Sequence, residues 1–187
     1  MSNLTKKALL AAFGNLLEKK PFNKITVSDI TELCGVNRMT FYYHFQDIYE
    51  LMIWGLETHV LNVDKSCTTY AHWQEGYLKI YRFALDHQTY ITKIFQTMKQ
   101  ENLEHHLHRI VRNMVLEVID DKCGDGPQRR EEREFVAQTC SYILVGTMVD
   151  WVNRGMKEPP ELMVGRVGFL MKGMIDKAEQ GLDTNPG

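Results

Sequence analysis

The apolar positions of this chain recur at helical spacing almost from end to end. From Thr5 onward, Leu9, Ala12, Phe13, Leu16 and Leu17 share one face while Lys6, Lys7, Asn15 and Glu18 occupy others, which predicts a helix that stops near Pro21. After FNKITV, Ser28 is placed to cap a short helix with Ile30, Leu33 and Cys34 turned inward, and Gly35 to supply the left-handed residue that ends it. Asn37 is placed to cap a third helix, and Asp47 a fourth that runs through IYELMIWGLETHVLNV. Two short helices joined by a turn of about three or four residues form a helix-turn-helix.

The remainder also reads as helix, with no sustained period-two alternation and no internal repeat. Trp73, Tyr77, Ile80, Tyr81, Ala84 and Leu85 make one stripe, and Leu103, Leu107, Ile110, Val111, Met114, Val115 and Val118 make another that ends at CGDGP. Two long helices follow, REFVAQTCSYILVGTMVDWVNRG and, after MKEPP, ELMVGRVGFLMKGMIDKAEQG; the tail LDTNPG is expected to fray. The fold class is therefore all-α. An N-terminal three-helix helix-turn-helix domain is expected over 1–47, with a linking helix over 48–63 and a helical regulatory and dimerisation domain over 64–187.

Charge sharpens this picture. The chain has a net charge of -2, but residues 1–46 carry Lys6, Lys7, Lys19, Lys20, Lys24 and Arg38 against Glu18, Asp29 and Glu32, so the small module is positive within an acidic protein. Cys34, Cys67, Cys123 and Cys140 show neither CxxC spacing nor a disulfide framework, as expected of reduced thiols. The first apolar run, ALLAAF, is too short for a signal peptide, and no stretch reads as a membrane span, so a cytoplasmic location without membrane contact is expected.

The stretch GVNRMTFYYHF carries the candidate chemistry. At about 100° per residue, Phe41 and Phe45 point the same way, into the module, while Met39, Thr40, Tyr42 and Tyr43 spread over the opposite arc with His44 at its edge. Arg38 stands at the helix start. Such a face suits a major groove: arginine donates to guanine, Thr40 and Met39 meet thymine methyls, and tyrosine and histidine reach phosphates.

TVSDITELCGVNRMTFYYHFQDIYEL resembles the DNA-binding signature of the TetR family of bacterial transcriptional regulators, over roughly residues 5–57. The resemblance implies that Val27 to Leu33 form the positioning helix, Gly35, Val36 and Asn37 the turn, Arg38 to His44 the recognition helix, and Glu50 and Leu51 the start of the linking helix. It departs from the family pattern at Ile48, where a basic residue is usual. The DNA-contacting set expected is Lys6, Lys7, Ser28, Asn37, Arg38, Met39, Thr40, Tyr42, Tyr43 and His44. The family further implies a homodimer built on the last two long helices, double-stranded operator DNA as partner, and a central cavity for a small-molecule effector. WVNRGMKEPPEL is similar to the C-terminal domain of regulators of the dihydroxyacetone-kinase activator type.

The effector is expected between Trp73, Tyr77 and Tyr81 on one stripe and Leu107, Val111 and Met114 on the other, with Trp54, Phe83, Phe95 and Met98 as further candidate wall residues. In ENLEHHLH, Glu101 and His105, Glu104 and His108, and the pair His105 and His108 fall on one helix face, the spacing of a metal-responsive regulator, although a solvated charged face is the commoner meaning. No metal or cofactor is assigned. Gly146, Gly165, Gly168 and Gly173 interrupt the last two helices and point to close helix approach. Without a phosphate loop, a GxSxG elbow or a paired base and nucleophile, no enzyme is expected. The reading is a sequence-specific transcriptional regulator, a repressor by the family's common mode, with an activator of a neighbouring metabolic operon as the alternative.

Overall fold

A computed structural model describes residues 2–61, 65–97, 100–123 and 130–184. Within them the regular structure is helical: α1 Ser2–Lys19, α2 Val27–Cys34, α3 Arg38–His44, α4 Ile48–Leu61, α5 Trp73–Asp86, α6 Gln88–Thr97, α7 Gln100–Cys123, α8 Arg130–Asn153 and α9 Pro160–Thr184, with 3-10 turns at Phe22–Lys24 and Lys65–Thr68. The all-α expectation holds. The short helix α6, between the two apolar stripes of the sequence, is an element the periodicity did not separate. α9 continues to Thr184, three residues into the tail expected to fray.

The chain divides into two compact units, residues 1–60 with 87–103, and residues 61–86 with 104–187. In the first, Leu9, Phe13 and Leu17 of α1 meet Ile30, Phe41, Phe45 and Leu51 in a core from which water is excluded. Residues 87–103 join this unit because α6 buries Ile91 and Ile94 and sets the Tyr90 ring edge-on to Phe13, 6.3 Å between centroids. Two expected core positions of α2 differ. Leu33 is exposed and Cys34 half-buried, while Thr31 takes the inward place, its hydroxyl donating to the Val27 and Ser28 carbonyls at 3.0 and 3.1 Å. A buried threonine is tolerated here because its own helix satisfies it.

In the second unit, α5, α7, α8 and α9 enclose Tyr81, Leu144, Trp151, Val167 and Met171. Helix α8 is long and apolar enough to cross a membrane by length and composition, contrary to the expectation that no stretch is. Part of its apolar surface is packed: Ala137, Cys140, Leu144, Val145, Val149 and Val152 are buried in this core, whereas Phe135 and Tyr142 are exposed, and near its start a buried Arg133 pairs with Asp120 of α7 at 2.8 Å. The corner between α8 and α9 is closed by Gly155 in the left-handed region (φ 82°), whose N–H donates to Val152 O at 3.0 Å while Met156 N–H donates to Trp151 O at 2.9 Å. Met156 itself has a positive φ of 55°, and Trp151 Nε1 donates to Glu158 O at 2.9 Å, so the turn is held from both sides.

Candidate nucleic-acid interface and apolar cavity

The recognition helix is positioned by two caps and a turn. Thr26, rather than Ser28, caps α2: its hydroxyl accepts from Asp29 N–H at 3.2 Å, and the Asp29 carboxylate accepts from Thr26 N–H at 2.7 Å. Ser28 lies one residue inside the helix, half-buried, because Asp29 three residues beyond Thr26 completes the reciprocal pair. The Lys20 ammonium, 2.8 Å away, together with the Thr26 hydrogen bonds, lowers the Asp29 carboxyl to about 2. Gly35 ends α2 at φ 69°, with Val36 N–H donating to Thr31 O at 3.0 Å. Asn37 then caps α3 as expected, its Oδ1 accepting from both the Thr40 N–H at 2.8 Å and the Thr40 hydroxyl at 3.0 Å.

With those ends fixed, the inward and outward faces separate as the spacing requires. Phe41 and Phe45 are buried, whereas Met39 is 76% exposed, Tyr43 83% and Tyr42 47%. Arg38 is exposed; Thr40 and His44 are half-buried. Tyr42 leans edge-on against Phe41 at 5.6 Å and His44 against Tyr43 at 5.0 Å, while Met39 and Tyr43 are the most exposed large hydrophobic side chains of the helix. Lys7 is exposed on α1. Lys6 is instead drawn over the rings of Phe45 and Trp54, its Nζ 5.2 and 5.5 Å from their centroids, a contact that sequence spacing does not reveal. Trp54 thus belongs to the N-terminal unit and not to a cavity wall.

The second unit contains an apolar cavity of about 40 Å³ whose wall includes Trp73, Tyr77, Val111 and Met114, four of the six expected ligand residues. Tyr81 and Leu107 are not part of it. Tyr81 is buried against Trp151 instead, 4.7 Å between ring centroids, and Leu107 is half-buried elsewhere on α7. Ile80, Val115 and Val118 of the same two stripes also line it, together with residues the periodicity missed: Cys67 and Thr68 from the 3-10 turn, Leu144 from α8, and Met171 and Ile175 from α9. The latter come from distant segments, so no local pattern marks them. Met98 lies outside the described residues.

The polar edge of the cavity is a hydroxyl cluster. Tyr77 donates to Leu144 O at 2.7 Å and stands 3.2 Å from the Thr147 hydroxyl and 3.3 Å from that of Tyr81. Burial, with the neighbouring Tyr81, pushes the Tyr77 phenol well above its ordinary range, so it stays protonated and serves as a donor.

Among the described residues no group of three or more His, Cys, Asp or Glu side chains comes together to hold a metal. His105 is exposed; His108 stacks edge-on with Tyr142 at 4.9 Å and approaches Ser141 Oγ at 3.5 Å; the Glu101 side chain lies outside the description. Cys34, Cys67 and Cys140 are not in disulfides, and burial raises Cys34 and takes Cys140 to about 11, which keeps both protonated.

α8 and α9 share an apolar face that this chain leaves open. Phe135, Tyr142 and Gly146 on α8, and Leu162, Gly165, Phe169 and Gly173 on α9, are exposed, with Phe169 at 83%. A methyl added at Gly146, Gly165 or Gly173 would meet no atom within 4 Å, so nothing in the chain itself requires glycine there. Gly168 differs, since a methyl there would strike the Gln74 side chain at 2.6 Å.

Residues 6–53 match the family described as bacterial regulatory proteins of the tetR family, and residues 71–173 match the family described as transcriptional regulator C-terminal region. The chain is 31% identical over 156 residues, 82% of each chain, to the HTH-type dhaKLM operon transcriptional activator DhaS of Lactococcus lactis subsp. lactis (strain IL1403). It is 24% identical over 166 residues to the HTH-type transcriptional regulator YxbF of Bacillus subtilis (strain 168), covering 85% of this chain and 42% of that one. A solved structure of the dihydroxyacetone kinase operon activator DhaS has the same fold, with a TM-score of 0.71 over 92% of this chain and 97% of that one at 24% identity.

Proposed function

Because this chain belongs to the TetR family of bacterial transcriptional regulators, we propose that α3 lies in a major groove of operator DNA and reads it through Arg38, Met39, Thr40, Tyr42, Tyr43 and His44. The observation that carries this reading is the division of α3 into a buried phenylalanine face and an exposed face. Exposed aromatic and thioether groups cost solvation in water and are repaid by base edges and thymine methyls. Lys7 supplies a phosphate contact, and Asn37, exposed at the start of α3, and Ser28, half-buried in the first turn of α2, are assigned to the same partner. Selection of bound duplexes from a random library, followed by salt titration, tests it. The expected result is one enriched, roughly palindromic motif whose affinity falls steeply with salt; a library that emerges unenriched overturns the reading.

The open face of α8 and α9 is the surface we assign to a second copy of this chain. Two such copies would also supply the two recognition helices that a palindrome demands. The division into a DNA-binding domain over 1–47, a linking helix over 48–63 and a regulatory domain over 64–187 follows from the same reading, with work in the cytoplasm beside the DNA.

For the effector, the cavity bounded by Trp73, Tyr77, Val111 and Met114 points to a small, largely apolar molecule. At about 40 Å³ it is well below the roughly 300–1,000 Å³ of drug-sized sites, so a larger ligand requires the wall residues to move apart. Repression is the family's common mode. The second reading, activation, is favoured by the 31% identity to a relative described as an operon activator. A reporter driven by the selected operator, with the gene deleted and restored, decides the sign.

A further inference from the structure

The cap of α3 fixes the hydrogen-bonding polarity of Thr40. Asn37 Oδ1 receives the Thr40 backbone N–H at 2.8 Å, which identifies that atom as the amide oxygen, since an amide nitrogen there would set donor against donor. The Thr40 hydroxyl lies 3.0 Å from the same oxygen. An oxygen that can only accept leaves the hydroxyl one role, to donate. Its proton is thereby committed to the helix cap at an exposed position, and what the half-buried side chain has left to offer a partner is lone pairs and a methyl group alone.

From this, and resting on the placement of α3 in a major groove, we infer that Thr40 is a specificity-determining residue that accepts from an exocyclic amine, reading adenine or cytosine on the strand it faces and rejecting guanine. Guanine offers only the acceptors N7 and O6 at that edge, and two acceptors facing each other repel. Adenine is the better of the two partners, because its paired thymine brings a methyl group to the same groove edge, where Thr40 Cγ2 can meet it. Asn37 acts here as a positioning residue: it holds the proton away from the groove. Residue identity alone does not give this polarity, since a free threonine hydroxyl rotates and serves either base class.

The experiment measures affinities for all four base pairs at every half-site position of the selected operator, using the full-length protein. Thr40→Val keeps the shape and methyl but removes the acceptor. It should lower the preference for adenine over guanine at one position by roughly fivefold, the size of one net hydrogen bond, and leave the ratios at other positions alone. Asn37→Ala releases the hydroxyl proton and should make guanine tolerated at that same position. Asn37→Asp preserves both cap bonds; it should weaken binding to every sequence yet retain the adenine preference there. Circular dichroism confirms that each variant is folded. If Thr40→Val leaves every base ratio intact, or if Asn37→Ala lowers affinity uniformly with no gain for guanine, the polarity argument is overturned although the groove placement survives. A wild-type protein that enriches no motif removes both.

Discussion

Replacing Gly146 by alanine separates the monomer from the dimer with a single methyl group. In an isolated chain the substitution is favourable, because glycine inside a helix costs about 0.8–1.0 kcal/mol relative to alanine and a methyl there meets no atom within 4 Å. That gain belongs to the folded monomer and the dimer alike, so it cancels from the dissociation constant. What remains is the effect of the methyl on the contact. If a helix of the second copy approaches closely over Gly146, overpacking costs about 1–3 kcal/mol per site. Two-fold symmetry places the methyl in the interface twice, so about 2 kcal/mol or more is expected, a dissociation constant raised roughly 30-fold. Sedimentation equilibrium over a dilution series gives that constant, and denaturant unfolding at low protein concentration gives the monomer term. Gly14→Ala on α1, where a methyl also meets nothing, is the control: about 1 kcal/mol of added stability with dimerisation unchanged. Should Gly146→Ala merely behave like Gly14→Ala, no second helix lies close over α8, and the proposed dimer face is wrong.

Other expectations follow from the site geometry. Arg38→Ala should relax base preference at one position by about 1–3 kcal/mol in a four-base affinity panel, while Lys7→Ala should weaken all duplexes alike and reduce the salt slope by about 1. The Asp29 carboxyl, lowered to about 2, contributes stability fully above its ordinary range near 3.8 and loses it as pH falls through about 2; thermal melts from pH 5 down to 2 should show this acid-side loss diminished in Asp29→Asn. Tyr77→Phe removes the donor to Leu144 O but leaves that carbonyl the Thr147 hydroxyl at 3.0 Å, so it should cost only about 1 kcal/mol, or roughly 2–4 °C in melting temperature.

What the sequence makes legible depends on how local the cause is. The buried pair Phe41 and Phe45, the Asn37 cap and the left-handed Gly35 rest on spacing within a few residues, and each stands where the pattern puts it. Two hydroxyl residues, Thr26 and Ser28, stand near the start of α2, and only the reciprocal bond from Asp29 chooses Thr26 over Ser28 as the cap. Periodicity placed Trp73, Tyr77, Val111 and Met114 on inward stripes, but an inward stripe is wider than a cavity. Which inward residue lines space and which meets another ring, as Tyr81 meets Trp151, is decided by the facing helix. Helix α6 was lost for a related reason: its inward residues, Ile91 and Ile94, are too few to make a stripe.

The corner after α8 has a consequence for assembly. Gly155 and Met156 turn the chain within two left-handed residues, Met156 is buried, and the Trp151 indole is tethered across the turn to Glu158 O. α8 and α9 are consequently joined with little freedom to slide or splay. Their outward aromatic and glycine residues form one preassembled relief instead of two ribbons that must be aligned on contact. In the proposed dimer, a copy that meets this relief would have no α8–α9 corner to order, so association would forfeit less conformational entropy than a flexible joint would demand. The tightness of the proposed pair would in that sense be set partly at a turn that need not touch the partner at all.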